Sequence, residues 1–301
     1  MQAGTTTANR RGMTALTVSM AFYTANDTCV KLIARTLPFG EIIFLRGILS
    51  VLILIAALIV SGQLRNTPRS GSRLVMGRSL LDALATVFFI AALVRMNFAE
   101  LSAIVLTSPL ILTAFAALTI GSRVGWRRWM AIGIGLTGTL LIVKPHAAAF
   151  DIWALVGLAA AFFSAGRDLA TRHIGAGIST LTVGLYGAIA VMIAGAALGL
   201  TETWHMPTAI EWAGLAVAAA FLGAGSYFTV LAFRDVDIPA VAPFRYTLLL
   251  WTGISGYFVF GETPDGWSLI GAGLIALSGL YALHRESLRH RELSARALPP
   301  A

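Results

Sequence analysis

The chain has 301 residues, of which 57% are hydrophobic and only 12% are charged, and its formal net charge is +8. Soluble domains carry about 25% charged residues, so this composition excludes an ordinary soluble protein. The positive charge lies mainly between long apolar stretches, where Lys and Arg set the orientation of a membrane protein. We therefore expect no nucleic-acid partner.

Ten apolar stretches follow one another along the chain, each close to the ~20 residues that a helix needs to cross a bilayer. This pattern predicts an all-α membrane protein with ten transmembrane helices in contact with the lipid bilayer. The predicted spans are residues 13–33, 40–61, 74–94, 99–119, 127–144, 152–172, 178–200, 209–231, 239–260 and 267–283.

The two halves of the chain are similar at an offset of 140 residues. The segment Ala21-Phe-Tyr-Thr-Ala25 returns as Ala161-Phe-Phe-Ser-Ala165, and Gly47 corresponds to Gly187. Because each half has an odd number of spans, the halves enter the membrane from opposite sides, which is typical of secondary transporters. The predicted organisation is a cytoplasmic tail (1–12), two inverted five-helix repeats (13–144 and 152–283) and a second cytoplasmic tail (284–301).

The basic residues of the loops, tails and span ends are biased to one side of the membrane. With the N-terminus in the cytoplasm, fourteen lie on the cytoplasmic side and three, Arg35, Arg95 and Lys144, on the opposite side. The positive-inside rule therefore places both termini in the cytoplasm of a multi-pass protein of the cell inner membrane. The fourteen are Arg10, Arg11, Arg65, Arg69, Arg73, Arg123, Arg127, Arg128, Arg172, Arg234, Arg285, Arg289, Arg291 and Arg296.

The connections between spans are mostly short, so consecutive helices are expected to pack as antiparallel neighbours. The polar N-terminal tail is expected to be irregular. Gly133-Ile-Gly-Leu-Thr-Gly138 matches a dinucleotide-binding pattern, but it lies within a predicted span instead of between a strand and a helix. Its glycines are expected to serve helix packing. No metal or cofactor is expected, because Cys29 is the only cysteine and the histidines are scattered.

Eight ionisable residues are candidates for charges at membrane depth, where a charge is costly unless it has a partner or faces a wet cavity. Asp27 and Lys31 are four residues apart, as are Arg78 and Asp82, so each pair shares a helix face and is expected to neutralise itself. Adjacent residues such as Arg167 and Asp168 point about 100° apart, so they are not expected to pair locally. The eight are Asp27, Lys31, Arg46, Arg78, Asp82, Arg167, Asp168 and Arg245.

Asp27 and Arg245 are the charges most suited to contact a solute. Asp27 lies deep in the first span, and Arg245 has no acid on its own helix face. Asp27 is equally suited to carrying a proton, and Arg78 with Asp82 is equally consistent with a purely structural pair. Lys31, Arg46 and Arg167 are interpreted as structural or snorkelling charges. The predicted solute-binding residues are Asn26, Asp27, Arg78, Asp82, Tyr227, Arg245, Tyr246 and Trp251.

Prolines are expected to interrupt two spans. Pro109 follows Thr107-Ser108 in the fourth span, and Pro239 and Pro243 open the ninth. A proline removes a backbone donor and loosens a helix, and the carbonyls it frees beside a cavity can hold a polar solute. A kink needed only for packing explains Pro109 equally well.

Three segments carry a resemblance to a known transporter family. They are Asn26-Asp27 through Lys31-Leu32, Glu41-Ile-Ile-Phe-Leu-Arg46-Gly47, and the step Gly261-Glu262. Together with the two repeats, they make residues 13–284 resemble the EamA family of the drug/metabolite transporter superfamily. In the first half Gly121-Ser122 replaces the family's Gly-Glu step, so that glutamate is not required in both halves.

The resemblance implies a central cavity walled by the first, third, fourth, sixth, eighth and ninth helices. It implies packing or assembly roles for the fifth and tenth helices, which leaves a homodimer open. Members similar to this chain move amino acids, nucleotide sugars, riboflavin, S-adenosylmethionine or amino-acid-derived metallophores.

The leading hypothesis is a secondary transporter that moves a small polar organic metabolite by alternating access. The sequence has no ATP-binding pattern, so a gradient would drive transport or transport would be facilitative. Export of an amino-acid-derived compound, metallophore-like or an amino acid, is favoured; the alternative is uptake of a cofactor-type metabolite such as riboflavin or S-adenosylmethionine. A membrane-embedded enzyme is a remote alternative, because no nucleophile or metal cluster is evident. A purely structural protein would not need isolated charges within its spans.

Overall fold

The computed structural model describes residues 2–62, 73–120, 126–143, 151–174, 178–232 and 238–297. All regular elements within these ranges are helices. They are α1 (Gln2–Ile33), α2 (Phe39–Val60), α3 (Arg73–Arg95), α4 (Phe98–Val105), α5 (Ser108–Ile120), α6 (Trp126–Val143), α7 (Ile152–Arg172), α8 (Thr180–Leu198), α9 (Ala209–Ala232), α10 (Ile238–Val241), a 3₁₀ turn (Ala242–Tyr246), α11 (Thr247–Ser255), a π-helical turn (Gly256–Phe260) and α12 (Gly266–Ala297).

Six described segments are long and apolar enough to cross a membrane. They lie in α2, α3, α7, α8, α9 and the consecutive pair α4–α5, and shorter apolar helices cover Trp129–Val143 and Gly266–Ala282. Large apolar side chains such as Leu52, Val60 and Ile210 are exposed on these helices. An apolar surface of this extent fits contact with lipid rather than water.

The first and ninth predicted spans lie outside that group of six for separate reasons. The first span lies within α1, which carries a row of polar side chains that face protein. Ser19 of α1, for example, is buried and donates to the carbonyl oxygen of Gly225 in α9 at 2.7 Å. The ninth span is divided among α10, the 3₁₀ turn, α11 and the π-helical turn, so no single helix there is long enough.

The helices pack mainly across the two halves of the chain, and the expectation that consecutive helices are the main neighbours is wrong. The most extensive contacts join α1 with α9, α2 with α8, α3 with α7, and α6 with α12. Glycines allow close approach in the α2–α8 contact, where Gly47 lies against the backbone of Met192 and Gly195 against that of Phe44. Connection length limits how far apart two helices lie, but the small residues decide which faces meet.

The contact between α6 and α12 is made by two glycines that face each other. A Cβ atom on Gly138 would lie 2.6 Å from the carbonyl oxygen of Gly271, and one on Gly271 would lie 2.5 Å from that of Gly138. The packing role predicted for the Gly133–Gly138 segment is therefore confirmed for Gly138. It does not hold for Gly133, beside which a Cβ atom would meet no heavy atom of the described residues within 4 Å.

Gly138→Ala is therefore expected to destabilise the fold by about 1–3 kcal/mol, the usual cost of overpacking, because the obstructing atom is backbone. Gly133→Ala on the same helix is the matched control and should stabilise it by about 0.5–1 kcal/mol through helix propensity. The measurement is the thermal unfolding midpoint of the purified protein in detergent. Equal midpoints for the two variants would show that α6 and α12 are not in close contact.

Both ends of the described chain are helical. The irregular N-terminal tail predicted for residues 1–12 is wrong for the described part, since α1 already begins at Gln2. Similarly, α12 continues past the apolar stretch through the charged segment to Ala297. A helix that emerges from an apolar layer can extend by its own hydrogen bonds into a polar sequence, which a hydropathy pattern does not detect. The Gly121-Ser122 step and most of the loop before α3 lie outside the described residues.

Candidate functional site

A cavity of about 310 Å³ lies between the helices of the two halves. Its volume is at the lower end of the range for small-molecule sites, about 300–1,000 Å³. Its wall is formed by α1, α3, α4–α5, α7, α9 and the 3₁₀ turn with α11, and also by Arg46 of α2. All six helices that the family resemblance implies therefore contribute to the wall, and α2 adds one basic residue to it.

Both expected helix interruptions border this cavity. The fourth span is broken between α4, which ends at Val105, and α5, which begins at Ser108. At this break, the hydroxyl group of Thr107 donates a hydrogen bond to the carbonyl oxygen of Ile104 at 2.6 Å. Ser108 and Pro109 line the cavity, so this proline places an irregular backbone segment beside a polar space, as broken membrane helices do in transporters.

The second interruption brings Arg245 to the cavity. The chain forms a 3₁₀ turn from Ala242 to Tyr246, with Pro243 near its start, and α11 begins directly afterwards. Arg245 lies on this turn, is exposed, and lines the cavity.

Asp27 also lines the cavity, but it does not pair with Lys31 as its spacing predicted. Its Oδ1 atom accepts a hydrogen bond from the Nδ2 atom of Asn26 at 2.8 Å. Asn26 is buried, and its own Oδ1 atom has no partner within the part of the chain that the structure describes. The carboxylate of Asp27 thus stays available on the cavity wall.

Arg46 is a wall residue that the sequence interpretation assigned to a structural role. It lines the cavity from α2 and lies close enough to Asp27 for their charges to interact. The signal that could have identified it is its position at membrane depth without an acidic residue three or four positions away. Across the described residues, neither Arg46 nor Arg245 forms a hydrogen bond or a salt bridge.

Four charged residues form a network at one end of the cavity. Asp82 accepts from Arg78 at 2.8 Å, which confirms the pair predicted within α3, and also from Arg167 of α7 at 3.1 Å. Arg167 pairs with its neighbour Asp168 at 2.9 Å as well, so the prediction that these two do not pair is wrong. The long, flexible side chain of arginine can bring its guanidinium group back to the neighbouring carboxylate. The angle of about 100° between adjacent positions on a helix does not take this flexibility into account. Arg167 and Asp168 line the cavity, whereas Arg78 and Asp82 do not.

Because Asp82 serves two arginines, its removal is expected to cost more than the removal of either one. Asp82→Asn should lower the free energy of unfolding by about 3 kcal/mol, since it leaves Arg78 without a carboxylate partner. Arg78→Gln should cost less, because Arg167 still pairs with Asp82, and adding it to Asp82→Asn should restore part of the loss. Unfolding midpoints in detergent measure this order.

Two results would contradict that interpretation. Equal losses from Asp82→Asn and Arg78→Gln would show that Arg167 does not share Asp82. Normal stability of both variants together with abolished transport would place these charges on the solute pathway instead.

Lys31 is paired with Glu262, far away in the sequence, instead of with Asp27. Its Nζ atom donates to Glu262 Oε1 at 2.5 Å and to the carbonyl oxygen of Met96 at 2.8 Å. The other carboxylate oxygen of Glu262 accepts from the backbone N–H of Phe98, the first residue of α4, at 2.7 Å. Glu262 follows Gly261, whose φ of 67° is in the left-handed region that favours glycine. This network joins α1, the α3–α4 turn and the end of the ninth span.

Three of the predicted solute-binding aromatic residues lie away from the cavity. Tyr227 is exposed on α9, with its ring against Phe228. Trp251 donates to the carbonyl oxygen of Thr17 at 3.1 Å, and Tyr246 packs in the core. Of the eight predicted residues, the structure brings Asn26, Asp27 and Arg245 together on the cavity wall.

No group of three or more metal-ligating side chains occurs among the described residues. The cavity lining combines charged and amide side chains with apolar residues such as Phe89, Leu222 and Leu248.

Comparison with known proteins gives consistent matches over most of the chain. A model of the EamA-like transporter family matches residues 10–144 and again residues 151–283. The pseudopaline exporter of Pseudomonas aeruginosa is 26% identical over 85% of this chain and 90% of its own length. An S-adenosylmethionine uptake transporter of Rickettsia conorii is 27% identical over 89% of this chain and 91% of its own.

One further curated relative and one solved structure are also similar to this chain. A riboflavin transporter of Rhizobium johnstonii is 30% identical over 71% of both chains. One crystal structure, at 21% sequence identity, superposes with a TM-score of 0.60 over 94% of this chain and 97% of its own, which shows a shared fold.

Proposed function

Because this chain belongs to the EamA-like transporter family, we propose that it is a secondary transporter that moves a small polar organic metabolite across the cell inner membrane by alternating access. The single observation that carries the proposal is the cavity between the two halves, whose apolar wall carries Asp27, Arg46 and Arg245, none of which forms a salt bridge among the described residues. An ionisable group at membrane depth is costly without a partner, and a polar solute would supply one.

The helix packing supports two inverted repeats of five spans, 13–144 and 152–283, and ten crossings in total. If the repeats are exchanged, the contact of α1 with α9 becomes the contact of α7 with α3, and both are extensive. The same exchange turns α2 into α8 and α6 into α12, so the α2–α8 contact and the α6–α12 contact are each unchanged by it. This is the pattern expected of a twofold axis in the membrane plane, with the solute site at the repeat interface.

Both termini are proposed to lie in the cytoplasm, with the short tails 1–12 and 284–301 on that side. Reporter fusions after Arg73, Arg128 and Arg296 should then report a cytoplasmic location, and a fusion after Lys144 should report an external one, because the positive-inside rule sets the orientation. A consistent external signal after Arg128 would rule out the five-plus-five arrangement.

Export of an amino-acid-derived compound, metallophore-like or an amino acid, is the favoured direction and class. A relative named as a pseudopaline exporter supports it. Uptake of riboflavin or S-adenosylmethionine is the second candidate, favoured by relatives named as transporters of those compounds. A homodimer formed through the α6 and α12 side stays a prediction.

Flux into and out of vesicles that contain the purified protein tests the proposed function. A transporter should exchange a labelled solute across the bilayer at a rate that depends on the protein, and empty vesicles are the control. Chemical conversion of the solute instead of movement would indicate a membrane enzyme, and binding without movement would indicate a receptor.

A further inference from the structure

The ionisable residues that line the cavity do not balance in charge. Asp27, Arg46, Arg167, Asp168 and Arg245 lie on its wall, so three groups are basic and two are acidic. Arg167 is already neutralised by Asp168 and Asp82. What remains is one carboxylate, Asp27, together with two guanidinium groups, and the cavity therefore carries an excess positive charge.

The excess is carried by two side chains for which the described part of the chain provides no acceptor. Among the described residues, Arg46 and Arg245 form no hydrogen bond and no salt bridge, although a guanidinium group has five N–H donors. They approach the cavity from different elements, α2 and the 3₁₀ turn. Arg46 is half-buried and Arg245 is exposed to the cavity. A cation without an acceptor is compensated best by an anion, and planar carboxylates fit guanidinium groups in a bidentate manner.

We infer that the solute is an amino acid derivative with two carboxylates and one ammonium group. This inference rests on the proposed transport function and specifies its solute class. One carboxylate binds Arg46, the other binds Arg245, and the ammonium group binds Asp27, whose charge already interacts with that of Arg46. The carbon skeleton packs on Phe89, Leu222 and Leu248.

The N-terminus of α5 adds a weaker attraction of the same sign. This helix has thirteen residues and begins at Ser108, which lines the cavity. Helix N-termini carry a partial positive charge, equivalent to roughly half an elementary charge. The site therefore combines two full cationic charges with a dipole that favours anions.

The charge excess separates this class from two of the solutes considered, S-adenosylmethionine and riboflavin. S-adenosylmethionine carries a sulfonium and an ammonium group against one carboxylate, and riboflavin is uncharged, so neither supplies the missing negative charge. Protonation of Asp27 would only increase the positive excess. The preference for a solute with net negative charge therefore holds in either protonation state of Asp27.

Binding to the purified full-length protein in detergent tests the inference. Three probes are aspartate, glutamate and 2-aminoadipate, in which the second carboxylate lies at increasing distance from the first. Two more are N-carboxymethylalanine and N-carboxymethylphenylalanine, each with two carboxylates and one secondary ammonium group. Each is paired with its monoamide, which has nearly the same shape but lacks one charge. At least one diacid should raise the thermal unfolding midpoint, with an affinity at least about tenfold greater than that of its amide.

Variants locate the effect. Arg46→Gln and Arg245→Gln should each remove the preference for the diacid over its amide. Without the guanidinium group, the second carboxylate of the diacid gains no ion pair that the amide lacks. Arg11→Gln, in the exposed N-terminal part of α1, is the matched control and should keep the preference. Diacid binding that is unchanged in both cavity variants would overturn the inference.

The remaining outcomes separate this inference from the transport proposal. If every diacid fails to bind, or if amides bind equally well, the inference is wrong. Accumulation of S-adenosylmethionine or riboflavin in vesicles would overturn the inference and leave transport intact. Diacid binding without flux of any probe would support the charge assignment and overturn transport.

Discussion

Asp27→Asn and Arg245→Gln are each expected to reduce solute transport by at least about tenfold, with normal amounts of folded protein. Hydrogen bonds to charged groups contribute about 1.5–3 kcal/mol, and each substitution removes one charge that faces the cavity. Neither variant breaks a salt bridge among the described residues, so folding should be spared. Flux in vesicles and binding in detergent are the measurements.

The pattern of loss distinguishes the two roles considered for Asp27. If it contacts the ammonium group of the solute, Asp27→Asn should lose gradient-driven transport, exchange and binding together, and this is the expected result. If it carries a proton, gradient-driven transport alone should fail, while solute exchange and binding persist. Wild-type binding and transport in both Asp27→Asn and Arg245→Gln, over the whole pH range tested, would remove both residues from the site.

Matched substitutions outside the cavity provide the controls. Asp151 caps the N-terminus of α7 by accepting from the backbone N–H of Trp153 at 2.9 Å. Because Asn caps helices about as well as Asp, Asp151→Asn makes the same chemical change without a cavity effect. Arg11→Gln serves in the same way for Arg245→Gln. Both controls should transport at wild-type rates.

The sequence predicts those features of this fold that depend on local composition. Apolar stretches of the right length indicate the membrane helices, and Pro109 indicates the break that the structure shows between α4 and α5. The pair of Arg78 and Asp82 also follows from spacing alone, because Arg78 forms no salt bridge with any other acid among the described residues. The family resemblance also predicts which six helices surround the cavity, and residues from all six line its wall.

Features that depend on contacts between distant segments could not be predicted in this way. The spacing of Asp27 and Lys31 shows only that they share a helix face. It does not show that Glu262, 231 residues away from Lys31, lies nearer to the ammonium group. The position of Arg46 on the cavity wall could not be predicted for the same reason, because hydropathy cannot show whether a charge faces a cavity or the membrane surface.

Lys31 and Glu262 should give the largest loss of stability on single substitution. Lys31 is only 9% exposed and Glu262 17% exposed, and their network also receives the backbone N–H of Phe98. Glu262→Gln leaves the ammonium group with the carbonyl oxygen of Met96 as its remaining partner. Breaking a buried ion pair from one side costs about 3–5 kcal/mol, so folded protein should be scarce.

Replacement of both partners is expected to be much milder than either single change. Lys31→Met with Glu262→Gln removes both charges, and the Gln carbonyl oxygen can still accept from the N–H of Phe98 at the start of α4. The double variant should therefore recover most of the unfolding midpoint lost by Glu262→Gln. Glu100→Gln, in the first turn of α4, is the matched control and should cost no more than about 1 kcal/mol through the helix dipole.

The comparison with Asp27→Asn decides between the two candidate partners of Lys31. If Glu262 is the partner, Glu262→Gln should destabilise the protein strongly and Asp27→Asn hardly at all, because Asp27 is held by Asn26 instead. Losses of equal size would mean that both carboxylates share the ammonium group. A large loss from Asp27→Asn with a small one from Glu262→Gln would return Lys31 to the pairing that the four-residue spacing predicts, and would remove Asp27 from the solutes' reach.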